Sequence, residues 1–222
     1  MNFNSNTAKA LLGAAVVAGA VTAIAQPASA ISFSLGGNSV AGQGQVSALS
    51  GVTTVDFDSP TPAGITYTGG GIVSGTIVGE YAAPPDDVTQ YFTLGGPGQS
   101  SPVTIALASL QNYFGLYWGS IDAYNAVTFY RGDKLLDVIT GPQVRNPADG
   151  SQEPIGAAYV NFFADGPDDY FDKIVLRSGQ AAFESDNHAF RDAIPTPTPA
   201  LLPGLIGLGL GVLRKRKAEA AA

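Results

Sequence analysis

The chain has 222 residues, 18 of them acidic and 11 basic, a formal net charge of −7, one histidine and no cysteine. This composition excludes disulfide cross-links, a Cys–His dyad and a zinc site of the usual His/Cys type. Between residues 31 and 194 the imbalance sharpens to 17 acids against 6 bases, a field that attracts cations and argues against nucleic acid as a partner.

In chain order, the first element is a signal peptide over residues 1–30. Lys9 supplies the positive start, residues 10–25 are apolar, and Ala28-Ser29-Ala30 is a small-x-small cleavage site. Cleavage is expected after Ala30, which makes this an exported protein. Residues 36–51, rich in Gly, Ser, Gln and Ala, read as a loose N-terminal arm.

Short β-branched and aromatic segments follow at 52–57, 71–78, 88–94, 103–107, 113–118, 126–130, 135–139, 157–163, 170–176 and 182–190. Gly69-Gly70-Gly71, Gly95-Gly96-Pro97-Gly98, Arg131-Gly132-Asp133 and Asp149-Gly150 punctuate them as turns. Arg131-Gly132-Asp133 is read as hairpin chemistry rather than an adhesion motif. No segment between 31 and 194 sustains helical periodicity. The expectation is one all-β domain over 31–194, a two-sheet β-sandwich of jelly-roll type.

The chain closes with Pro195-Thr196-Pro197-Thr198-Pro199, an apolar run over 200–213 and the cluster Arg214-Lys215-Arg216-Lys217. As a helix the run reaches about 21 Å, short of a hydrocarbon core of about 30 Å. Pro203, Gly204, Gly207, Gly209 and Gly211 weaken it further. It suits transient insertion, with the cations held on the cytoplasmic side.

A Pro-rich spacer, a Gly/Leu-rich apolar segment and a basic terminus resemble the PEP-CTERM sorting signal, in the form associated with cyanobacterial members. The segments 113–122 and 182–187 are also similar to exosortase-dependent surface proteins. The resemblance implies signal peptidase and exosortase as processing partners, a sorting helix in 195–222, and delivery to the cell surface or extracellular matrix. It departs from the family where Pro-Glu-Pro is replaced by Pro195-Thr196-Pro197 or Pro197-Thr198-Pro199.

Three chemistries compete for the body of the protein. Asp165, Asp168, Asp169 and Asp172 crowd one loop, and Glu184 and Asp186, with Asn187, follow in the next strand. If those two strands form a hairpin, the oxygens suit calcium, the one cofactor considered. Asp86, Asp87, Asp56 and Asp58 are secondary candidates. Exopolysaccharide is the second partner considered: in a strand Tyr113 and Tyr117 share the face opposite Phe114, Leu116 and Trp118, with Gly115 leaving their rings open for stacking. The competing assignment packs these tyrosines under a neighbouring loop. Enzyme activity is not expected. No Gly-x-Ser-x-Gly elbow is present, and His188 reads as a surface or strand-edge residue. A carboxylate-pair glycoside hydrolase is the third alternative, with no pair identified.

Overall fold

The structure, a computed structural model, describes residues 29–193. Ala28, the 195–199 spacer and the 214–217 basic cluster lie outside the described residues. Among the described residues no helix is long and apolar enough to cross a membrane.

One long strand ties the fold together. Strand β8 (Val103–Trp118) follows β1 (Ile31–Leu35), β2 (Asn38–Val40), β3 (Gly44–Val46), β4 (Thr53–Val55), β5 (Ile65–Thr68), β6 (Gly71–Ser74) and β7 (Gln90–Leu94). After it come β9 (Asn125–Arg131), β10 (Lys134–Thr140), the one-turn helix α1 (Gly141–Val144), β11 (Ala158–Ala164), β12 (Phe171–Ser178) and β13 (Phe183–Asp192). The first half of β8 lies between β12 and β5, and its second half lies between β11 and β13. Its register against β12 breaks between Phe171, opposite Gln111, and Lys173, opposite Ala106. Such an irregularity bends a strand, and here it coincides with the passage of β8 from one sheet into the other.

Strands β10, β9, β12, β8 and β5 therefore form one antiparallel sheet, while β1, β11, β8 and β13 form the other, extended by β7, β6 and β4. The sheets face each other across aromatic rings. Phe129 of β9 meets Phe162 of β11 at 5.2 Å and Phe114 of β8 at 6.3 Å between centroids. Within the second sheet, Trp118 and Phe183 stack at 4.5 Å with planes 12° apart. The expected all-β sandwich is the observed fold.

Three local expectations are corrected. The segments 103–107 and 113–118 are one strand, because Ser109 and Leu110 continue the extended backbone where β8 bends. The arm at 36–51 is not loose. Its β2–β3 hairpin covers the outer face of the second sheet, where Asn187 Nδ2 donates to the Gln43 and Gln45 carbonyls at 2.8 and 3.2 Å. Its glycines permit this close approach: a Cβ on Gly44 would overlap the Tyr117 ring, and one on Gly37 the Tyr159 ring. His188 is fully buried, not at a surface or edge. Against β8, β13 carries a bulge between Asp186 and Ala189. The extra residue reverses the alternation and turns His188 toward Phe57, Phe92 and Phe114.

Candidate functional site

Apart from Ser185 and His188, which hydrogen-bond each other at 2.9 Å and are fully buried, the inner faces of β8 and β13 are apolar, so groups open to a ligand lie on the outer faces and the loops around them. Glu184 projects outward from β13 and is 2% exposed. Its Oε1 accepts the Ala82 N–H at 3.0 Å and its Oε2 accepts the Ser120 hydroxyl at 2.5 Å. Burial raises its carboxyl above the ordinary range, against these two hydrogen bonds, and Asp122 adds to the rise.

Beside Glu184 opens a polar cleft of about 220 Å³, lined by Glu80, Tyr81, Asp122, Tyr124, Asp149 and Gln152 among others. Three loops supply these groups. The bridge Asp122–Asp149 and the Gly150 N–H donated to the Ile121 carbonyl at 3.1 Å fix two of those loops against each other. Gly150 is required there, because a Cβ would overlap the Asp122 carboxylate. Burial lifts the Asp122 carboxyl, the Tyr124 hydroxyl lowers it, and Asp149 lifts it again. Tyr124 itself is raised, first by burial and then by Asp122. The cleft thus presents carboxylate acceptors, two phenols and no Lys, Arg or His, which suits hydroxyl-rich ligands.

The calcium set expected from sequence is not brought together. Strands β12 and β13 are not a hairpin; they flank different halves of β8. Phe171, next to Asp172, pairs with Gln111, whereas Asp186 pairs with Tyr117, roughly 20 Å farther along the strand. Asp165 and Asp168 are exposed, Asp169 lies in the short turn Pro167–Asp169, and Asp172 accepts the Gly132 N–H at 2.8 Å. That bond, with Arg131 donating to the Pro167 carbonyl at 2.9 Å, ties the Arg131-Gly132-Asp133 turn down as a hairpin. Among the described residues no three His, Cys, Asp or Glu side chains converge to hold a metal ion by themselves.

Tyr113 and Tyr117 do share the outer face, but not as an open platform: they are 0% and 3% exposed. Tyr113 donates to Asn161 Oδ1 at 2.8 Å, and Tyr117 donates to the Pro85 carbonyl at 2.8 Å. Burial, then Asp86 and Asp87, pushes Tyr117 up to about 12. The loop and hairpin that cover these rings take the place a sugar ring would occupy. Asp186, two residues beyond Glu184, is fully buried beside Asp87. Burial first, and the Asp87 charge second, raise its carboxyl to about 9.

Sequence reasoning missed Glu80, Tyr81, Asp122, Tyr124 and Asp149 as a group. They lie on separate loops, and no local spacing announces their meeting; the Asp149-Gly150 turn was the one visible sign.

No family model matches the chain, and no curated protein matches it. Among solved structures, the catalytic unit of a thermostable GH87 alpha-1,3-glucanase from Streptomyces thermodiastaticus strain HF3-3 is similar at 17% identity with a TM-score of 0.36. The likeness covers 68% of this chain and 28% of that one. At that level it assigns neither reaction nor substrate to the present protein.

Proposed function

We propose that this is an exported protein of the cell surface or extracellular matrix, sorted through its C-terminal segment, whose sandwich binds polysaccharide without cleaving it. The observation that supports binding is the cleft where Glu80, Asp122, Asp149 and Glu184 meet Tyr81 and Tyr124. Carboxylates accept hydrogen bonds from sugar hydroxyls, and tyrosine rings offer an apolar face with a polar tip. At about 220 Å³ the cleft is smaller than the ~300–1,000 Å³ that encloses drug-sized ligands. It therefore suits one sugar unit of a chain, held at the surface. The acidic exterior also favours calcium bridges to anionic polysaccharide.

The test is retention of the purified full chain on exopolysaccharide from the source organism. Saturable binding is expected, weakened about tenfold when Asp122→Asn and Asp149→Asn remove two charge-assisted acceptors. Unchanged binding by that variant would reject the cleft, and release of reducing ends would replace the binding role with hydrolysis. Sorting is tested separately: deleting residues 214–217 should leave the protein misprocessed, and normal surface delivery without them would count against the tail.

A further inference from the structure

Neither carboxyl oxygen of the fully buried Asp186 has a well-formed hydrogen bond in the protein, the Asn187 N–H being the one backbone donor that acts on it. Asp87, 5% exposed, faces it from the loop before β7. The Asp87 Oδ1 accepts the Thr89 N–H and hydroxyl at 2.9 and 2.6 Å, while its Oδ2 is without a donor. Three carboxyl oxygens are thus withdrawn from water without a well-formed hydrogen bond, an arrangement that native interiors avoid. No base offsets them: among the described residues the one salt bridge joins Lys173 to Asp133. Asp58 adds a third negative charge from the exposed side, where its Oδ1 accepts the Gln90 N–H at 3.1 Å. What passes between Asp87 and Asp186 is therefore either a shared proton or a cation.

The backbone is unusual at the same place. Phe57, Asp86 and Asn187, at φ 55°, 62° and 52°, are the non-glycine residues with left-handed backbone among the described residues. Each is the chain neighbour of one of the three acids. Such conformations persist where surrounding structure imposes them, and they gather at binding sites.

We propose that Asp87 and Asp186 hold a divalent cation of the calcium type, with Asp58 adding negative charge from the solvent side without ligating it, fastening the 84–89 loop and the β2–β3 hairpin to β13. All donors are oxygens, which selects a hard cation over zinc or copper. Two carboxylates fill part of a calcium shell, and water and backbone carbonyls complete it. With so few charged ligands the affinity falls in the weak extracellular class, with a dissociation constant of about 10⁻⁴–10⁻³ M. The site is separate from the polysaccharide cleft, where both Glu184 oxygens already have donors.

The test uses the purified full chain, terbium as the probe and tyrosine excitation, since Tyr117 lies within electrostatic reach of Asp87, and Tyr67 and Tyr159 of Asp186. Saturable terbium luminescence, competition by calcium and a calcium-dependent rise in Tm are expected. Asp186→Asn, which keeps side-chain size and can donate to Asp87, should abolish all three while the protein stays folded. The exposed Asp58→Asn should weaken terbium binding by about threefold to tenfold, and Asp122→Asn should leave it unchanged. Wild-type terbium affinity in Asp186→Asn or in Asp58→Asn would place the ion elsewhere and overturn the proposal. No luminescence and no rise in Tm at about 10 mM calcium, well above the expected dissociation constant, would assign the pair to a shared proton and overturn it as well.

Discussion

The two faces of β13 obey different rules. Inward, Phe183 and Phe190 pack on Trp118 and Phe114, and any group of similar shape and polarity would serve. Outward, Glu184 has two well-formed donor bonds while Asp186, one step along the same face, has no hydrogen bond of good geometry. Burial is nearly equal at the two acids, so exposure does not distinguish them; hydrogen-bond supply does. Apolar burial is interchangeable, whereas a buried carboxyl depends on one particular partner.

The inner face should give the largest effect. Phe114→Ala removes a ring that touches Phe129, Phe162, His188 and Phe190 and should lower unfolding free energy by about 3–5 kcal/mol in chemical denaturation. A smaller loss there would mean that the core closes over the gap.

His188 carries the comparison into pH. Its ring nitrogens lie 2.9 Å from the Tyr67 and Ser185 hydroxyls, and burial lowers its pKa from 6.5 to about 3. Below pH 6.5 the unfolded chain takes up a proton that the folded chain refuses. Stability supplied by the neutral ring is therefore complete above that pH and lost as pH falls toward 3. The slope approaches about 1.4 kcal/mol per pH unit. The raised carboxyls act in the opposite sense, so the measurement is the difference in acid unfolding between the parent and His188→Gln.

On the outer face, Gly44→Val should cost about 1–3 kcal/mol, because its φ is +65° and its side chain would overlap Tyr117. Faster proteolysis within 36–51 should accompany it. The smallest effects decide the comparison itself. Glu184→Gln should lose about 1 kcal/mol, as one of its two donors is left facing an amide N–H₂. Asp186→Asn, measured with chelator present, should be neutral or stabilising. Equal losses at both positions would show that donor supply does not separate them.

Much of the fold was legible in the residues. Alternation and turn chemistry marked most of the strands and the sandwich, because a half-buried strand writes its two faces into adjacent positions. Strands β1 and β5 and the β2–β3 hairpin were not legible. Ile65–Thr68 is too short to stand out, and the Gly-rich arm is ordered by tyrosines that lie far along the chain. His188 was misplaced because one bulged residue reverses a phase that local sequence projects straight ahead.

The candidate sites divide in the same way. By itself the sequence determined the acidic surplus, the absence of thiol chemistry, the all-β class and the outward direction of Tyr113 and Tyr117, since these follow from composition and from a period of two. Only the tertiary structure decided which acids meet. It separated Asp172 from Glu184 and Asp186 by placing β12 and β13 on different halves of β8, and it joined Asp87 to Asp186 and Asp122 to Asp149 and Glu184. Strand pairing between distant segments sets those neighbours, and no short-range pattern in the chain encodes it.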